Sequence, residues 1–280
     1  MTPFLLAVAL ALGPAPGDTV VDVRRGDRLV VENFSGSLVV RGWDQDRLEV
    51  RGEPGDRAEV ALTRSGSELT LRPSSRRGRG REVDAVVRVP RWMELQIGGR
   101  EVEVSVSQVE GGVSVRNVEG DIDVSASRGP VRIRSVDGEV RVTDVEGRVE
   151  ARSQGDDVTL IRVVGDVDVE SGSGDLLLQD VDAASLRAET LDGDVRFDGP
   201  IRRSGRYEIS VHDGDAMVAI PRDAGLAMEV ATFDGEFMSE FPIMLQRYRG
   251  GRSFSFTLGD GSASMKIQVF DGEIQLRARR

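Results

Sequence analysis

The sequence predicts an all-β chain, a single-chain β-solenoid of the parallel β-helix kind with about 18–21 residues per two-strand coil. Three observations predict it. Glycines recur every nine residues, each is followed by a short alternating strand, and the apolar positions of alternate units fall into register.

Glycines 120, 129, 138 and 147 are nine apart, and 165 and 174 continue the series. Around them runs the unit Val-x-Gly-(acid or Arg)-Val-x-Val, at 118–124, 136–142, 145–149 and 164–169. Later copies keep the turn: Gly174-Asp175, Asp192-Gly193-Asp194, Asp213-Gly214-Asp215, Asp234-Gly235-Glu236 and Asp271-Gly272-Glu273. Nine residues hold one strand of about five and a turn, which leaves no space for a helical crossover. In residues 121–125, Ile122 and Val124 face one way while Asp121, Asp123 and Ser125 face the other. Pairing alternate units makes an 18-residue coil with two faces. Ile122, Val140, Val158, Leu176 and Val195 line one side, and Val131, Val149 and Val167 the other. An antiparallel meander is the alternative. Stacking explains better why the same residue class returns at the same register in copy after copy.

The flanks differ. Residues 1–17 read as a signal peptide, cleaved or kept as an anchor, with a buried strand as the alternative: 4–12 is an unbroken apolar run, without Lys or Arg before it and followed by Gly13, Pro14 and Ala15. The run is too short to span a bilayer, and no later segment is apolar enough, so the mature chain is expected to lie outside the cytoplasm with no transmembrane segment. Residues 18–100 lack the nine-residue period but offer strands at 19–23, 28–32, 37–41, 47–51, 58–63, 68–72 and 82–89, and read as a β-rich cap. Residues 74–81 read as a basic, glycine-rich loop. Residues 101–280 form the repetitive solenoid. Its period breaks after Gly235, and its far end is rich in Phe and Tyr. A stack needs both ends covered, because open strand edges polymerise.

Composition narrows the chemistry. The 280 residues carry a net charge of −11, which opposes nucleic acid and anionic lipid as general partners. Without cysteine there is no disulfide, thiol nucleophile, thiolate metal site or lipid-anchoring Cys. The single histidine, His212, rules out a multi-His site within one chain, and no Gly-x-Ser-x-Gly elbow accompanies the His212-Asp213 pair. His212 precedes an ordinary repeat turn and reads as an exposed structural residue.

An ordered set of short motifs then carries a resemblance. It comprises 31–44 (Val-Glu-Asn-Phe-Ser-Gly-Ser-Leu-Val-Val-Arg-Gly-Trp-Asp), 87–90 (Val-Arg-Val-Pro), the Gly-acid-hydrophobic repeats, 259–262 (Gly-Asp-Gly-Ser) and 271–274 (Asp-Gly-Glu-Ile). This order resembles the bacterial domain-of-unknown-function family labelled “putative adhesin”, over about residues 20–278. The resemblance implies an exported β-solenoid with a surface-attachment role, and it supplies no catalytic residues.

Two groups stand out as candidate sites. The residue after each turn glycine forms an acidic column: Asp121, Glu139, Asp157, Asp175, Asp194, Asp215 and Glu236. Carboxylates one strand spacing apart repel by about 0.9 kcal/mol even in water. They must therefore be solvated, bonded to turn N–H groups, or bridged by a divalent cation such as calcium. The doubled-glycine calcium nonapeptide is absent. The second group, Phe237, Phe241 and Tyr248, reads either as a plug for the last coil or as a contact surface. The expected function is a non-enzymatic module of the cell envelope or surface, contacting a protein or glycan. An end-to-end scaffold of the bactofilin type and, further off, a polysaccharide-active β-helix enzyme are the alternatives.

Overall fold

The computed structural model describes residues 19–52, 59–74, 82–244, 247–249 and 253–279. The signal-like residues 1–17 and the basic stretch 75–81 lie outside them. The described residues form strands and turns with no helix, and therefore no helix long and apolar enough to cross a membrane.

The coils stack in parallel at the expected register. Val113–Arg116, Val131–Arg134, Val149–Ser153 and Val167–Ser173 lie side by side, so that Val113, Val131, Val149 and Val167 form one inner row. On the opposite side of each coil, Ile122, Val140, Val158, Leu176 and Val195 form another. These side chains are almost wholly buried. Each contributes about 1.5–3 kcal/mol relative to exposure, and an 18-residue step keeps like against like. Where the coil lengthens, Tyr207 holds the extra residues. Its buried hydroxyl donates to the Ala183 carbonyl at 2.9 Å and accepts from the Arg202 N–H at 2.9 Å.

The stack reaches further toward the N-terminus than the glycine repeat does. Glu94–Ser107 is one bent strand that already forms a coil, placing Leu95 beside Val113 and Val104 beside Ile122. Its bend uses Gly98 and Gly99 instead of the repeat turn, which is why the nine-residue period does not register there.

Both ends are built out of sequence order. Arg28–Trp43 makes a whole coil, flanked on one side by Glu94–Ser107 and on the other by Glu68–Ser74 and Ala85–Pro90. At the opposite end, Ala263–Asp271 and Ile274–Ala278 lie between coil 206–220 and coil 226–239, parallel to both. The first and last coils of the chain are thus each covered by a coil from further inside the sequence. Beyond these covers the strands turn antiparallel. Thr19–Asp22, Arg47–Gly52 and Glu59–Ser65 do so at one end, and Arg247–Arg249 with Ser253–Leu258 at the other. The parallel template therefore stops inside the molecule.

Candidate functional site

The coils turn sharply at the repeat glycines, and that corner carries the densest chemistry of the surface. Gly138 has φ +115°, and a Cβ there would sit 2.4 Å from the Gly120 carbonyl oxygen of the neighbouring coil. In that left-handed conformation no side chain fits while the coils remain one strand spacing apart. Asp156 occupies the equivalent place one coil on, where the glycine repeat lapses. Its carboxylate accepts from the Gly138 N–H at 2.5 Å. That bond, followed by a hydrogen bond with Asp137, holds Asp156 below the usual carboxylate range. The same bond with Asp156, reinforced by its charge, pushes Asp137 up.

The predicted acidic column flanks these turns, and backbone N–H groups hold most of it together. Asp121 accepts from the Glu139 N–H at 2.9 Å, Asp157 from Asp175 at 2.8 Å, and Asp175 from Asp194 at 2.9 Å. Asp194 accepts in turn from Asp215 at 3.0 Å. Asp215 then accepts from Glu273 at 2.8 Å, because the inserted last coil separates it from Glu236. Glu139 turns instead to Arg141 at 2.5 Å. Arg196 adds a positive charge beside Asp175 and Asp194, at 3.5 and 2.8 Å. The carboxylates thus act as clamps between coils. Among the described residues, no three or more His, Asp or Glu side chains are grouped to hold a metal ion.

The clamp predicts a split between two substitutions. Asp194→Asn keeps an acceptor for the Asp215 N–H and is expected to stay within about 0.5 kcal/mol of the parent. Asp194→Ala leaves that N–H without its partner and is expected to cost about 1–2 kcal/mol. Urea unfolding measures both; equal losses would assign the effect to the charge pair with Arg196 instead.

The three predicted aromatic residues sit at the C-terminal cover. Phe237 is half-buried, edge-on to Phe254 with ring centroids 5.0 Å apart, and Phe241 is half-buried against the same core. Tyr248 lies opposite Phe254 in the outermost antiparallel pair. A different aromatic group faces solvent. The register that aligns Asp192, Asp213, Asp271 and Asp234 makes the residues before them, Leu191, His212, Phe270 and Phe233, successive rungs of one outer ladder. His212 stacks on Phe270 with centroids 4.8 Å apart, and Phe270 on Phe233 at 4.7 Å with planes only 5° apart. Leu191, Phe233 and Phe270 are 58%, 50% and 46% exposed. The four aspartates beside them are exposed as well. Sequence reasoning placed His212 in an ordinary exposed position and passed over the other three. The available signal was an apolar or ring residue before each of four late Asp-Gly turns.

Fold and corner together define a capped parallel β-solenoid with a ring-bearing, acidic edge. The chain matches the Toastrack family, DUF4097, over residues 26–277 and belongs to it. Among solved structures it is similar to a “putative cell adhesion protein” from Clostridium sporogenes ATCC 15579. Identity there is 12%, coverage is 95% of this chain and 100% of that one, and the TM-score is 0.27. It is also similar to a “putative adhesin” from Parabacteroides distasonis ATCC 8503, with 11% identity, 92% and 95% coverage and a TM-score of 0.32. No curated protein matches.

Proposed function

We propose that the protein is a non-catalytic contact module of the cell envelope or surface, and that it meets a protein or glycan partner through the Leu191–His212–Phe270–Phe233 ladder. The observation that carries this reading is the ladder's exposure. Four successive rungs present apolar or aromatic side chains at an outward position, where a solvated sheet would carry polar ones. Stacked rings are rigid, so they lose little conformational freedom on contact, and aromatic anchors dominate binding energy at interfaces. Export fits the apolar run at residues 4–12. The scaffold alternative draws no support from the ends, where antiparallel strands interrupt the parallel stack.

The test compares the parent with a Leu191→Ser/Phe233→Ser double variant for retention on isolated bacterial envelopes and on a glycan array. Both residues are more than half-exposed or close to it, so the melting temperature should hold. Retention should fall about tenfold, the loss of one anchoring contact. Unchanged retention in the double variant would refute the assignment.

A further inference from the structure

Across most of the sheet an arginine finds a carboxylate on the next coil. Arg162 meets Asp144 at 2.5 Å, Arg152 meets Glu170 at 3.0 Å, Arg128 meets Glu146 at 3.4 Å, and Arg202 bonds to Asp182. Arg41, Arg100, Arg148 and Arg206 find none among the described residues, and one row stacks three arginines on successive coils. Arg116, Arg134 and Arg152 lie directly beside one another on three successive coils. Arg152 takes Glu150 and Glu170, and Arg132 shares Glu150 at 3.6 Å. Arg116 and Arg134 are exposed and have no carboxylate within ion-pair distance among the described residues. Two arginines on strands about 4.8 Å apart repel each other unless an anion lies between or across their guanidinium groups.

The row has defined limits. Gly98, which carries no side chain, lies beside Arg116 at one end, and Glu170 beside Arg152 reverses the charge at the other. Two residues on, in the turns that follow these strands, Val118 and Val136 are 48% and 41% exposed, so an apolar pair borders the unpaired arginines before Glu119 and Asp137.

The geometry points to an anion-binding strip, centred on Arg116 and Arg134, that takes a short anionic oligosaccharide. Guanidinium forks suit carboxylate, sulfate or phosphate groups, and they repeat here once per coil, a rise similar to one ring of an extended sugar chain. The apolar faces of the rings would lie on Val118 and Val136. A long, densely charged polymer is opposed by the net charge of −11. Nucleic acid would also want stacking rings, and the strip has none. This site is separate from the aromatic ladder.

The experiment titrates the full chain at low salt with a size-defined oligogalacturonate and, in parallel, a heparin-derived oligosaccharide. An oligoglutamate peptide and single-stranded DNA of equal charge serve as competitors. Binding of either oligosaccharide is expected; which one binds distinguishes carboxylate from sulfate as the anion. R134Q should weaken it about tenfold, since a charge-assisted contact is lost. R187Q, on the same sheet but paired with Glu189, should not change it. R134E places a carboxylate between Arg116 and Arg152, so it should raise the melting temperature while abolishing binding. A merely structural arginine would not show that opposite pair of effects. The Phe233→Ser change should leave this binding intact, which separates the strip from the ladder. The proposal is overturned if neither oligosaccharide binds, if R134Q binds like the parent, or if the peptide or the DNA binds more tightly.

Discussion

A chain ending at Leu258 is expected to lose its cooperative fold and not only its last coil. Residues 263–278 fill a slot between coils 206–220 and 226–239. They bring Met265, Ile267, Val269, Ile274 and Leu276, five large side chains that are nearly fully buried. At about 1.5–3 kcal/mol each, their loss matches the roughly 5–15 kcal/mol that stabilises a typical domain. Removal also bares the rows on both sides of the slot, including Tyr207, Ile209, Met228 and Val230. Circular dichroism and size-exclusion chromatography should then report loss of the native transition and association of the chain. The opposing outcome is a monomer that melts near the parent temperature because coil 226–239 has closed directly onto coil 206–220. That result would show the slot to be dispensable.

The second large effect is expected at the glycine corner. In Gly138→Val the new Cβ would meet the Gly120 carbonyl oxygen at 2.4 Å and its carbon at 2.5 Å, and φ is +115°. Both atoms belong to backbone already fixed by its own coil, so the coils must splay. A loss of about 3 kcal/mol or more is expected, combining left-handed strain with broken stacking. Gly26→Ala is the control: φ is +95°, yet nothing lies within 4 Å of the added atom. It should cost only about 1 kcal/mol of conformational strain. Denaturant midpoints measure both, and similar losses would mean that collision with the neighbouring coil is not what fixes glycine here.

The middle of the fold could be read from the sequence because stacking forces its signal into a fixed period. Val131, Val149 and Val167 meet each other in space and also sit 18 residues apart, so sequence spacing and spatial register coincide. At the ends the two part company. Asp213 lies beside Asp271, 58 positions on, and Leu29 beside Leu95, 66 on. Nothing in local periodicity encodes such a jump. The same separation explains the site. The acidic residues from Asp157 to Asp215 follow one another at steps of 18, 19 and 21, close to the coil length, whereas the ladder passes from His212 to Phe270 and back to Phe233. Its rings are neighbours only once the last coil is inserted. The unpaired arginines escaped notice for another reason. Arg116, Arg134 and Arg152 share a register, but which of them finds a carboxylate depends on side-chain reach across the face.

The covered first and last coils have a consequence for how this fold can change size. A unit added beyond either cover would meet antiparallel strands and not the parallel template. A copy of 18 residues inserted among the regular coils, between Val113 and Gln179, meets neighbours of the same register and apolar pattern above and below. It lengthens the molecule by one strand spacing, about 4.8 Å. Both covers, and the C-terminal edge with its rings, stay as they are. Duplication within the interior therefore works as an adjustable ruler: it sets the distance between two finished ends without redesigning either.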